Sequence, residues 1–437
     1  MVTRTKTVFN VRNLPNIKAK LFAWAAHSSP VAWLDSNDYP HNNNSYDAML
    51  ALNMSPGTQW VNDYNSLQRV VGNDWLFGFL SYEFSNSWEQ IVPTNPAYIS
   101  VPKLQFFKPE KVWLLQGDTL TALYTSDANA EEDFAQVLAS EPLTNAESTA
   151  IDLSPRISKS DYLKYATALQ QHILRGDIYE VNYCMEWFAE NTQVVPQHIF
   201  HALNSIAKTP FAAYLSMKNL HLMCASPERF LSRKGTHVYS QPIKGTAARH
   251  ADEVLDKANA QLLKNDPKER AENIMITDLV RNDLSRIANK GSVSVSEQCA
   301  VYPFSQVHQM ISTVVASCSE NTHSLDIIDA CFPMGSMTGA PKQRAMELIN
   351  TYEVSQRGLY SGAVGYFAPN GDFDFNVVIR SLIYDAQQQY LSTHVGSALT
   401  AAANVEQEYE ECQLKVEAIK RVLANKVATQ MSHGTKV

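Results

Sequence analysis

Gly362–Leu391 reads GAVGYFAPNGDFDFNVVIRSLIYDAQQQYL. Asn370-Gly371 and the Asp385-Ala386 region are turn signals, and they divide the stretch into three alternating runs. Alternation is the two-residue period of a strand, so the stretch predicts an antiparallel meander. Toward the N-terminus, two strand-like runs in Glu228–Ile243 flank Lys234-Gly235, a hairpin signal, and IYEVNYCMEWFA (Ile178–Ala189) reads as another strand. Before that strand, Leu163, Ala166, Leu169 and Ile173 follow helical spacing, with Ser160 as the N-cap and Gly176 closing the helix. Further helices are predicted over Ala271–Ile287, Asp326–Phe332, Pro341–Thr351 and Glu406–Leu423. Strands in hairpins with helices between them predict α+β with antiparallel sheets, not a doubly wound parallel sheet.

Composition narrows the rest. Of 437 residues, 45% are hydrophobic and 18% charged, with 16 Gly and 19 Pro, which is the make-up of a globular chain. Net charge is −8, pI is about 5.9, and no block of basic residues occurs, so nucleic acid is excluded as the main partner. The N-terminus lacks the apolar stretch of a signal peptide, and no apolar run approaches the roughly 18 residues of a membrane span. The six cysteines lie far apart without zinc-ligand spacing and read as buried thiols of a cytoplasmic protein. Two polar stretches stand out. HNNNS (His41–Ser45) predicts a loop, and Ser140–Ser160 predicts a boundary between an N-terminal subdomain, 1–150, and a core, 151–431.

Several residues could carry chemistry. Glu269 and Glu272 are three apart on one predicted helix, and Glu408 and Glu411 are three apart on another, so each pair shares a face. Two such pairs suit a hard cation such as Mg²⁺, and they equally suit two solvated acidic faces. Lys415 follows Glu411 by four, as a surface ion pair or as a cation on the same stripe. In MGSMTGAPKQR (Met334–Arg344), Pro341 opens a helix beside Thr338 and Gly339, an end that attracts anions or is simply capped. Lys244 ends an apolar strand before Gly245, where desolvation would favour the neutral amine that a nucleophile needs. Glu228 and His308 are acid–base candidates or hydrogen-bonded structural residues.

Read together, these segments resemble the chorismate-utilising enzymes, which include anthranilate synthase component I, aminodeoxychorismate synthase component I, isochorismate synthase and salicylate synthase. The resemblance covers about Ser160 to Leu423. It rests on GDIYEVN, SPERF, PIKGT, DPKERAEN with DLVRNDL, VHQMIS, GSMTGAPK, RGLYSGAVGY, VVIR and EYEECQLK, in that order. It implies an anthranilate synthase component I-like fold, a large antiparallel two-sheet core flanked by helices. It also implies a Mg²⁺ site at Glu269, Glu272, Glu408 and Glu411, with the metal holding the ring carboxylate of chorismate. Arg380 and Tyr360 match positions that bind the enolpyruvyl carboxylate, and Gly245, Thr246, Thr338, Gly396 and Lys415 complete the implied cradle.

In this resemblance, anthranilate synthases carry alanine in PIAGT, whereas Lys244 here gives the PIKGT of many aminodeoxychorismate synthases. It implies attack of the Lys244 amine on C2 with loss of the C4 hydroxyl, followed by ammonia at C4, with Glu228 as acid and then base and His308 as a further catalytic candidate. The implied product is 4-amino-4-deoxychorismate, a precursor of p-aminobenzoate and folate. Anthranilate synthesis and a non-catalytic chorismate or tryptophan sensor are the competing expectations. Glu180 stands where water-adding members have lysine and aminating members glutamine. GSALTAAAN (Gly396–Asn404) departs from the glycine-rich family run, with Ala398 in place of the second glycine. Ammonia is expected from a glutamine amidotransferase subunit, and the N-terminal subdomain could bind tryptophan, as it does in some relatives.

Overall fold

The computed structural model describes residues 3–39, 46–84, 91–125, 128–144 and 150–424. The expected loop at His41–Ser45 and the end of the core beyond 424 lie outside these residues, as does part of the expected boundary. The strands form two antiparallel sheets, one of twelve and one of nine strands. Nine elements build the site: β1 (Glu180–Ala189), β2 (Ile243–Ala248), α1 (Pro267–Ser285), β3 (Val307–Ser317), β4 (Ala363–Phe367), β5 (Phe373–Val377), β6 (Ser381–Asp385), β7 (Tyr390–Leu399) and α2 (Val405–Leu423).

Central strands of the larger sheet bury both faces. Along Ala212–Leu215, Ala213 and Leu215 enter the core shared with the smaller sheet, while Ala212 and Tyr214 pack toward the helices. Period-two alternation therefore sorts side chains between two cores instead of between core and water. Phe77, Phe79, Phe106, Phe367 and Phe375 fill the space between the sheets, and Tyr162, Phe200, Val416 and Ile419 belong to the helix-side core. Strands from before residue 150 join both sheets: Val31–Asp35 pairs with Phe211–Met217, and Leu76–Leu80 pairs with β4. All six cysteines are free and buried.

The expected meander is divided between the sheets. β4 and β5 pair across the Asn370-Gly371 turn in the smaller sheet, whereas β6 pairs with Leu220–Ser226 in the larger one. Val378–Arg380 makes the crossing, and Arg380 takes a left-handed conformation there, φ 51°. The sequence carries the cause: Val377 and Val378 are consecutive and both enter the inter-sheet core, which breaks the period of two.

Two helix starts also differ from expectation. Ser158, not Ser160, caps the helix Lys159–Leu174, its hydroxyl accepting from Asp161 N at 3.1 Å. α1 begins before Ala271 because Pro267 suits the first turn and the Asp266 carboxylate accepts from Lys268 N and Glu269 N, both at 2.9 Å.

Candidate active site

A cavity of about 550 Å³ opens between the two sheets and is bounded by α1 and α2. That volume lies in the range of small-ligand sites, roughly 300–1,000 Å³. Its lining includes Lys244, Gly245, Thr246, Glu228, Tyr360, Arg380, Gly396 and Lys415 together with Glu269, Glu272, Glu408 and Glu411, so most of the residues singled out in sequence converge.

Lys244 owes its direction to a bulge. β2 slips register against β3 between Ile243 and Thr246, and Gly245 within that slip has φ +100°. The Lys244 ammonium donates to Glu180 Oε1 at 2.8 Å. Glu180 opens β1, where Val181 and Tyr183 pack toward the helices, leaving Glu180 and Asn182 to face the other sheet. The expected neutral amine is corrected here: burial pulls the lysine's pKa down, but the nearby Glu180, with Glu272 and Glu228, outweighs burial and holds it above its ordinary value. The resting lysine is an ammonium.

Glu228 sits at the junction of two strands and accepts from Ser336 Oγ at 2.7 Å. Burial pushes its pKa up to about 7, against the pull of Ser336 and Lys244. A carboxyl poised near neutrality can give and take a proton. Arg380, at the sheet crossing, lines the cavity, and among the described residues its guanidinium has no hydrogen-bond or ion-pair partner. Burial lowers its pKa. A half-buried guanidinium without such a partner, facing a cavity, has the chemistry to take a carboxylate. Beside it, Tyr360 stacks on His394, with ring centroids 5.3 Å apart.

The carboxylates gather at two helix starts, where the macrodipole favours negative charge. Glu269 follows the Asp266 cap of α1, and Glu408 follows Asn404, whose side chain accepts from Glu406 N and Gln407 N at the start of α2. Burial raises Glu269 and Glu408, and brings Glu272 to about 7. Glu411 is lowered, because the nearby Lys415 ammonium overcomes burial. Lys268 Nζ lies 3.9 Å from Glu272 Oε1 and 3.8 Å from Glu408 Oε1, so a cation already bridges the two helices. Hard oxygen donors short of positive charge fit Mg²⁺ in donor chemistry. Among the described residues, however, no three ligand-type side chains converge on one metal position as the side chains stand.

Two expected site residues lie elsewhere. His308 faces away from the cavity, with Nε2 2.9 Å from Asp256 Oδ1, and its neighbour Gln309 lines the cavity instead. Successive strand residues point to opposite faces, so only one of the two can enter. Thr338 is fully buried outside the lining, its hydroxyl donating to Met334 O at 3.1 Å, and the adjoining segment Gly339–Ala340 pairs with β1. Thr338 therefore does not line the cavity in this structure. Lys415 reaches Gly396 O at 2.7 Å and Glu411 Oε1 at 2.6 Å. Gly396 is required by packing, since a Cβ there would fall 2.5 Å from Cys184 Sγ. Gln309, Asn182, Ser336 and Lys268 line the cavity without having been singled out as site residues. The odd–even pattern of β3 and β1 was the available signal for the first two.

Comparison with known proteins gives the family and the fold. Residues 30–421 match the family described as chorismate binding enzyme. Aminodeoxychorismate synthase component 1 of Bacillus subtilis is 31% identical over 360 residues, covering 79% of this chain and 76% of that one. The protein of the same name from Salmonella typhimurium is 38% identical over 269 residues, 62% of this chain and 59% of the relative's length. Anthranilate synthase component I of Streptococcus pneumoniae superposes with a TM-score of 0.73 at 23% identity, covering 94% of this chain and 99% of the other, which supports the expected fold. With the family matching most of its length and the cavity built from the expected motifs, this chain belongs to the chorismate-binding enzymes.

Proposed function

We propose that this chain is the chorismate-aminating component of an aminodeoxychorismate synthase. The observation that carries the reading is Lys244, which a strand bulge aims into the cavity at a position where the family resemblance gives anthranilate synthases an alanine. The unpaired Arg380 guanidinium, with the Tyr360 hydroxyl, takes the enolpyruvyl carboxylate. Thr246 and the backbone at Gly245 and Gly396 line the remaining wall. Glu269, Glu272, Glu408 and Glu411 would hold Mg²⁺, which supplies positive charge for the ring carboxylate when bound.

In this reading the Lys244 amine forms a bond to C2 as both ring double bonds shift, C1=C2 to C1=C6 and C5=C6 to C4=C5, and the C4–O bond breaks. Protonated Glu228 delivers its proton to the leaving hydroxyl, which departs as water. Ammonia then bonds to C4, both double bonds shift back, the C2–N bond breaks, and Glu228 takes a proton from the new C4 ammonium. The net change is hydroxyl for amine at C4. Ammonia comes from a glutamine amidotransferase partner, consistent with the "component 1" names of the relatives. The cavity lining runs from Asn182 to Ile419, so the chemistry belongs to the core 151–431, and residues 1–150 complete the sheets around it. A tryptophan ligand in the N-terminal region would need the cavity between Leu34, Tyr46 and Phe211 to widen, since its present volume of about 60 Å³ is well below the roughly 300 Å³ of small-ligand sites.

Product analysis tests the proposal. The chain is incubated with chorismate, Mg²⁺ and an ammonium salt. 4-Amino-4-deoxychorismate is expected, with turnover lost on chelation and restored by Mg²⁺. Anthranilate as the wild-type product would overturn it.

A further inference from the structure

The Lys244–Glu180 pair leaves hydrogen-bonding capacity unused on the carboxylate. Glu180 is 1% exposed, its Oε1 accepts from Lys244 Nζ at 2.8 Å, and Oε2 is buried without a partner among the described residues. A buried carboxylate oxygen left unpaired is costly, and a pair built only for stability would have satisfied it. The ammonium is similarly open: it can donate three hydrogen bonds, and Glu180 is its one acceptor among the described residues. Glu228 and Glu272 are the other charges facing it. Glu228 is engaged by the Ser336 hydroxyl, and Lys268 lies 3.9 Å from Glu272.

An ammonium has no lone pair, so attack by Lys244 requires a proton acceptor within hydrogen-bond reach. We propose that Glu180 is that acceptor, a catalytic carboxylate that takes the Lys244 proton onto a buried oxygen when the amine attacks and returns it when the lysine is released. The inference rests on the covalent-lysine reading above and adds a residue to it. The protons balance. Lys244 goes from ammonium to amine as Glu180 becomes the acid, and C2–N bond formation then proceeds with Glu228 protonating the departing hydroxyl. After ammonia has added at C4 and the C2–N bond has broken, the free amine recovers its proton from Glu180. Glu228 serves the hydroxyl and the incoming nitrogen, and Glu180 serves the lysine.

The test is single-turnover formation of the lysine adduct, followed by quenched intact mass with chorismate and Mg²⁺ and with ammonia withheld. Glu180→Gln keeps the shape and an acceptor oxygen but cannot take a proton. Because Glu272 and Glu228 still favour the charged lysine, it is expected to slow adduct formation by roughly 10²-fold or more near neutral pH, the usual worth of a positioned base, with the rate recovering as rising pH deprotonates the lysine directly. Glu180→Asp keeps a carboxylate and is expected to retain the wild-type pH profile at a reduced rate. Adduct formation at the wild-type rate in Glu180→Gln overturns the proposal alone, as do equal losses in Gln and Asp with no recovery at high pH. Absence of an adduct from the wild-type chain overturns the lysine reading and this proposal with it.

Discussion

Lys342 is buried and Lys244 is mostly so, and both are ion-paired to a buried carboxylate. Lys342 lies at the start of the helix Lys342–Tyr352, and its ammonium is 2.5 Å from Asp283 Oδ2 on α1 and 3.0 Å from Cys331 O. It is closed on all sides, outside the cavity lining. Among the described residues Lys244 has one acceptor, its partner keeps an orphaned oxygen, and the pair borders about 550 Å³ of open space. Burial and pairing alone therefore do not mark a functional lysine. On the function proposed above, unused hydrogen-bonding capacity facing a cavity does.

Substitutions can break this contrast. Lys244→Ala should cost at least about 10³-fold in aminodeoxychorismate formation per folded molecule, roughly 4 kcal/mol. A loss of stability with little loss of turnover would make Lys244 a second Lys342. Conversely, Lys342→Met strands Asp283 as an unpaired buried charge and should lower unfolding free energy by about 3 kcal/mol in a denaturant titration, while turnover per folded molecule stays near wild type.

Glu228 sharpens the contrast through pH. Its carboxyl moves from 4.5 to about 7 on folding, so between these values the folded state holds more protons than the unfolded one, and stability falls as pH rises. Glu228→Gln removes that loss, and should be more stable than wild type by up to about 3 kcal/mol above pH 7 and little different below pH 4.5. Equal stabilities at both ends of that range would contradict the burial assigned to it. At the small end, the exposed Glu253–Lys257 pair is a control: Lys257→Ala should leave the unfolding midpoint unchanged within error.

Where sequence and structure agree, the information was local. The i, i+3 glutamates needed only a helical period to share a face, and their helix caps, Asp266 and Asn404, are adjacent in the chain. The hairpin at Lys234-Gly235 and the turn at Asn370-Gly371 were legible for the same reason. The misreadings were matters of parity and of distance. His308 and Gln309 occupy successive strand positions, and composition favoured the titratable one while the pleat favoured its neighbour. The meander divided because two consecutive valines faced one core, a fault in alternation easily passed over in a run of apolar residues. The Lys244–Glu180 pair joins residues 64 apart across two sheets, and no local pattern announces it. The lysine's protonation state followed from that distant partner, which is why local desolvation alone pointed the other way.

On the proposed function, the incompletely paired Lys244 is the nucleophile. The direct measurement is peptide mapping by mass spectrometry after the chain is mixed with chorismate and Mg²⁺ in the absence of ammonia and then quenched. The account predicts an adduct of substrate less one water on the peptide containing Lys244, absent from Lys244→Ala and discharged to 4-amino-4-deoxychorismate when an ammonium salt is added. An unmodified Lys244 in an enzyme that makes the amine product at full rate would contradict it.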